Sequence, residues 1–188
     1  MRIIAGKFKG RTIKFPNSKL VRPTTDKTKE SIFNFLVHSI DFDGIRCCDI
    51  YAGSGSLGLE ALSRGASEIH FVEKDFHVSR MLQENISSLG ADDNCKIYRM
   101  DAVRFSKISG HEKYDLILAD PPFFKDDIHT VIKNILEKDF LADEGLLLIE
   151  RSIQTKIKDE EAFGIEAFRK MGDSLIYLFG KDSAEVSD

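Results

Sequence analysis

The sequence predicts an α/β protein, a three-layer sandwich built on a mostly parallel seven-stranded sheet, with a small N-terminal β-hairpin and helix in front of it. Three observations lead there. From residue 45 onward short apolar runs alternate with stretches of helical periodicity, a pattern that requires parallel strands joined by right-handed crossovers. The first of those runs passes directly into a glycine-rich turn, "DIYAGSGSLGLEAL". A chain of 188 residues, 42% hydrophobic, is long enough for one full-sized core and too short for two.

The elements follow in order. Residues 2 to 5 ("RIIA") and 12 to 15 ("TIKF") are short apolar-rich runs either side of "GKFKGR", which reads as a basic hairpin. Over 24 to 39, Ile32, Phe33, Leu36 and Val37 recur at helical spacing behind the capping candidates Thr24 and Thr25. These first 40 residues form an extension to the body at 41 to 181. Strands are expected at 45 to 50, 68 to 72, 95 to 99, 115 to 119, 145 to 149, 162 to 169 and 174 to 179. Helices fit between the first five, at 57 to 64, 75 to 89, 103 to 108 and 127 to 138. Only "MGD" separates the last two strands, so they should pair as an antiparallel hairpin at one edge. The tail "KDSAEVSD" is expected to be disordered.

Composition narrows the function classes. No run approaches the ~18 apolar residues of a membrane span, and the start "MRIIAGKFKGR" lacks a secretory h-region, so a cytoplasmic protein is expected. Three cysteines, Cys47, Cys48 and Cys95, have neither zinc spacing nor an even count, and read as buried thiols near strands. The five histidines form no metal-ligand motif, and no G-x-S-x-G elbow is present. Net charge is −4, yet residues 1 to 30 carry nine Lys and Arg against Asp26 and Glu30, a balance of +7 that leaves −11 for the rest. A basic arm on an acidic body is a phosphate-contacting footprint, with Arg2, Lys7, Lys9 and Arg11 as the candidates and Phe8 either stacking on a base or packing in the core.

Gly53, Gly55 and Gly58 satisfy G-x-G-x-x-G after a strand, and Glu73 ends the next strand where an acid can accept from ribose hydroxyls. A nucleotide-like cofactor follows, either a nicotinamide dinucleotide or S-adenosylmethionine. Asp49, just before the turn, can anchor the ammonium group that only the second carries. Asp101, just past the third strand, can accept from an adenine amino group, cap the next helix, or both. Strand four then ends in "DPPF" on the far side of the switch point. A side-chain oxygen of Asp120 and the carbonyl of Pro121 can accept from one exocyclic amine and aim its lone pair at a methyl donor. Pro122 stiffens the acceptors, Phe123 offers a stacking face, and Phe124 either lines the pocket mouth or begins the next helix. An oxidoreductase would need a His, Tyr or Lys acid/base here, and only DPPF is found.

The segments "RIIAGKFKGR", "RPTTDKTKESIFNFL", "DIYAGSGSLGLEALSRGA", "FVEKD" and "DPPF", in that order over about residues 1 to 150, closely resemble the RsmD family of 16S ribosomal RNA guanine-N2 methyltransferases. The resemblance implies a seven-stranded, Rossmann-like class I methyltransferase fold with an N-terminal hairpin. It further implies S-adenosylmethionine as cofactor and 16S ribosomal RNA, within a partly or fully assembled small subunit, as partner. On it, Asp49, Gly53, Ser54, Gly55, Glu73, Asp101 and Ala102 would line the cofactor site, and Asp120 to Phe123 would hold the guanine amine. Arg22, Thr24 and Thr25 would lie by the catalytic pocket, with Arg22 and Thr24 toward RNA. The chain departs from the family pattern at Cys47, Cys48 and Tyr51, and has Lys29 where Arg is common. Adenine-N6 or glutamine-N5 methylation uses a similar tetrad, though a protein substrate gives the basic arm nothing to contact. A non-catalytic RNA-binding factor that kept the fold is the reading of another class.

Overall fold

A computed structural model describes residues 1–15, 26–122 and 125–181. Arg22, Thr24, Thr25, Phe123, Phe124 and, of the tail, residues 182–188 lie outside the described residues. The strands are β1 (Arg46–Ile50), β2 (Glu68–Val72), β3 (Cys95–Tyr98), β4 (Tyr114–Ala119), β5 (Leu141–Ser152), β6 (Arg169–Met171) and β7 (Ser174–Gly180). The helices are α1 (Asp26–Leu36), α2 (Ser56–Arg64), α3 (Phe76–Leu89), α4 (Ala102–Phe105), α5 (Asp127–Glu137) and α6 (Lys156–Phe163).

All seven strands join one sheet in the order β3-β2-β1-β4-β5-β7-β6. Pairings from β3 across to β5 are parallel, while β7 runs antiparallel to both β5 and β6. The chain winds outward from β1 through β3 and then returns to the other side of β1 with β4. That reversal opens a crevice at the carboxyl ends of β1 and β4, the place where open α/β sheets bind ligands.

Because side chains alternate across a strand, neighbouring residues feed opposite layers. Cys47, Leu116 and Leu118 meet Phe33, Leu59 and Ile86 in one core, whereas Cys48, Ile117 and Ala119 meet Phe105, Val131 and Ile135 in the other. The adjacent cysteines are therefore both buried, one in each layer. The N-terminal hairpin is slight: one bridge joins Arg2 to Thr12, supported by backbone bonds such as Ile3 N–H to the Arg11 carbonyl at 2.9 Å. Buried Ile3 and Ile13 nevertheless pin it to the body, and Phe8 packs on the same core rather than standing free.

One expected strand is not there. Most of 162 to 169 is the end of α6 and the loop beyond it, and only Arg169–Met171 is strand. Phe163, Ile165 and Ala167 alternate like a strand because each packs on the core, but Gly164 (φ 69°) ends the helix between them. The helix itself escapes a periodicity search because it exposes Ile157 and buries Asp159.

Candidate active site

The turn after β1 carries the site. Tyr51 sits at φ 64° and Gly53 at φ 55°, so the backbone reverses sharply before α2. A side chain at Gly53 would meet nothing closer than 4.0 Å, which leaves its outer face open to a ligand. At Gly58, by contrast, a Cβ would come within 2.4 Å of the Phe71 ring, so this glycine exists for close packing of helix on sheet.

Asp49 is buried, and its Oδ2 accepts from the Gly58 N–H at 2.8 Å, locking the first turn of α2 to β1. Burial pushes the Asp49 carboxyl well above its ordinary range, the Gly58 N–H offsets part of that, and the Asp120 and Glu73 carboxylates raise it further. Three acids thus converge at the carboxyl ends of β1, β2 and β4, an arrangement that favours a cation between them. Glu73 is fixed from both sides: Oε2 accepts from Gly53 N–H at 3.0 Å and Oε1 from Asp75 N–H at 2.8 Å. Asp101 caps α4, accepting from Arg104 N–H at 2.9 Å, so the capping role holds while its position beside the cavity also stands.

Glu73, Asp101 and Ala102 line one cavity of about 30 Å³, together with Tyr51, Lys74, Lys125 and Asp127. Asp49, Gly53, Ser54 and Gly55 do not line it; they belong to β1 and the turn that follows, with Asp49 and Ser54 buried. None of Tyr51, Lys74, Lys125 or Asp127 was expected there. Lys74 follows Glu73 directly and Lys125 follows the DPPFF run, so position next to a motif was their only signal. The Lys74 side chain, and after it burial, holds the Lys125 ammonium below its usual range, as two like charges at one rim require. Beyond β4, Asp120 is half-buried, Pro121 is buried, and the Pro122 carbonyl accepts from Lys125 N–H at 3.0 Å. A far larger open groove, about 630 Å³ beside Gly6, His38 and Phe42, contains none of the expected residues and is remote from this chemistry.

On the arm, Lys7 and Lys9 are exposed, whereas Arg11 already donates from Nη2 to the Ser88 carbonyl at 2.6 Å and Arg2 faces Asp26 at 3.6 Å. Of these four candidates, Lys7 and Lys9 are therefore the ones without an ion pair or backbone hydrogen bond on the side chain among the described residues, with Lys7 Nζ 5.3 Å over the Phe8 ring.

The family model described as "Conserved hypothetical protein 95" matches residues 1–180. The chain belongs to this family. Ribosomal RNA small subunit methyltransferase D of Escherichia coli is 36% identical over 189 residues, covering 100% of this chain and 93% of its own length. The protein of the same name from Haemophilus influenzae is 35% identical over 152 residues, with coverage of 80% and 78%. The solved structure of Escherichia coli yhhF superposes with a TM-score of 0.79 at 31% identity, covering 95% of this chain and 96% of that one. The resemblance to the RsmD family read from the motifs is thus borne out over the whole chain, and family and fold together make it a methyltransferase. Among the described residues no helix is long and apolar enough to cross a membrane.

Proposed function

We propose that the chain transfers a methyl group from S-adenosylmethionine to the exocyclic N2 amine of a guanine in 16S ribosomal RNA. The observation that carries this reading is the parallel pairing of β1 with β4, which brings Asp120 and Pro121, just past β4, to the same end of the sheet as Asp49 and the glycine turn that follows β1. Cofactor and acceptor thereby face each other across one crevice. The residues fit the cofactor: open space over Gly53, a fixed carboxylate at Glu73, and converging acids for a cationic group.

S-adenosylmethionine supplies an electrophilic methyl on a positively charged sulfur. Asp49 and Glu73 orient the charged and ribose portions, with Ser54, Gly55, Asp101 and Ala102 shaping the walls. Asp120 and the Pro121 carbonyl accept from the target amine and hold its lone pair in line with the methyl carbon. With the cofactor bound, its sulfonium would supply the methyl to the amine's lone pair, and the product nitrogen would then release a proton to Asp120 or solvent. The gain comes from positioning two reactants, an effect worth up to about 7–11 kcal/mol in well-oriented systems. Phe123 provides the stacking face, and Lys7, Lys9, Arg11, Arg22 and Thr24 hold the RNA, with residues 1–40 as the arm and 41–181 as the catalytic body.

The test is methyl transfer from labelled S-adenosylmethionine to ribosomal RNA and to 30S particles from cells lacking the protein, followed by nucleoside analysis. Label in N2-methylguanosine is expected, and Asp120→Ala should abolish it while cofactor binding persists. Label in N6-methyladenosine, label in protein, or full activity of Asp120→Ala would each overturn the assignment.

A further inference from the structure

Two buried side chains fasten the basic arm and the glycine turn to each other. Asn85, inside α3, donates from Nδ2 to the backbone carbonyls of Lys14 and Ser54, each at 3.0 Å, while its Oδ1 accepts from Lys14 N–H at 2.8 Å. Lys29, fully buried on α1, donates from Nζ to the Arg2 carbonyl at 2.7 Å and to the Ser56 hydroxyl at 3.2 Å. The second run of the arm is thus tied to one side of the turn and the first run to the other.

The seat is rigid as well as polar. Glu60, buried 3.8 Å from Lys29 Nζ, accepts from Ile4 N–H at 2.7 Å and Ala5 N–H at 3.1 Å. A Cβ on Gly6 would stand 1.7 Å from the Ser63 carbonyl oxygen, so the arm cannot slide without moving α2. Anchoring alone does not call for this, because Ile3 and Ile13 already bury the arm and an apolar contact avoids the cost of desolvating charges.

We propose that Asn85 and Lys29 are positioning residues that couple RNA contact on the arm to cofactor binding at the glycine turn. This rests on the function proposed above. Because arm and turn are held as one rigid unit, a shift that RNA contact imposes on the arm is passed to the turn, and a shift that the cofactor imposes on the turn is passed to the arm. Coupling of this kind is reciprocal: RNA tightens cofactor binding by the factor by which cofactor tightens RNA binding.

The experiment is calorimetric titration of the full chain with S-adenosylhomocysteine, alone and with saturating unmodified ribosomal RNA. Affinity is expected to rise within the ~5–150-fold range of such couplings, and the reverse titration should give the same factor. Asn85→Ser and Lys29→Met, with cooperative melting confirmed, should bring that factor close to one. Two ligands that bind without influencing each other, or folded variants that keep the full factor, would overturn the coupling alone. A parent chain that binds no S-adenosylhomocysteine would overturn both this inference and the function beneath it. Hydrogen exchange on the parent decides the matter if the variants do not fold: RNA should slow exchange at Gly53, Ser54 and Gly55, and unchanged rates would refute the coupling.

Discussion

Asp159→Ala perturbs the chain where a helix turns its charge inward. The Asp159 carboxylate is fully buried and accepts from Arg151 Nε at 2.8 Å, Arg151 Nη2 at 3.1 Å and the Thr155 hydroxyl at 2.6 Å, with His129 Nε2 2.7 Å away. Removing it leaves the Arg151 guanidinium fully buried, with Nη1 already lacking a partner among the described residues. Breaking a buried pair by deleting one member costs about 3–5 kcal/mol. At roughly 2–4 °C per kcal/mol for a domain of this size, the midpoint should fall by about 6–20 °C. The double replacement Arg151→Met with Asp159→Leu should recover much of that, because no charge remains to be desolvated. Burial alone would raise the Asp159 carboxyl, but Arg151, Thr155 and His129 outweigh it and hold it below its ordinary value. Its stabilisation is therefore present above pH ~4 and is lost as pH falls through the depressed folded value. Thermal melting of parent and variants between acid and neutral pH is the assay. A loss under ~1 kcal/mol for Asp159→Ala at neutral pH would refute the reasoning, since surface-like sites show such values.

Three further outcomes are expected. Glu73→Ala should weaken S-adenosylhomocysteine binding by about 10–150-fold, the equivalent of charge-assisted hydrogen bonds of ~1.5–3 kcal/mol, and unchanged affinity by calorimetry would remove the ribose assignment. Because Asp49 is raised in the free chain, chiefly by burial, a cation bound against it favours the carboxylate. S-adenosylmethionine binding should then release protons and tighten as pH rises through the Asp49 titration, as measured in buffers of differing ionisation enthalpy; Asp49→Asn should abolish the release. Lys7→Glu with Lys9→Glu should weaken RNA binding and lower the log–log salt slope by ~0.7 for each lost single-strand phosphate contact, whereas an unaltered slope would dismiss the arm as a phosphate site.

Parallel strands were the most legible part of the chain, because strands covered on both faces read as continuous apolar runs, as "DLILA" does before Asp120. The glycine turn and Glu73 were legible for a related reason: close approach and sharp reversal restrict residue type at fixed spacing. Sequence could not show that Asn85 spans 71 positions to reach Lys14, since long-range polar contacts leave no local period. It could not show α6 either, where the core-facing side chain is an acid satisfied by an arginine on another element. Tyr51 and Lys125 joined the cavity through tertiary placement, although Tyr51 had already stood out as a departure from the family pattern.

The return of the chain to the far side of β1 also sets the order in which the protein can be completed during synthesis. Its neighbour β2 emerges soon after β1, but β4 emerges only roughly 60 residues after β1 ends, which at ~5–20 residues per second takes about 3–12 s. Through that interval Cys47 to Ile50, apolar but for Asp49, present a strand edge that lacks its β4 partner, the feature that recruits stray strands from other chains. The same winding that opens the crevice for chemistry leaves the nascent centre of the sheet to wait for its partner, and makes β1 the segment whose exposure should most tax a cell producing this protein quickly.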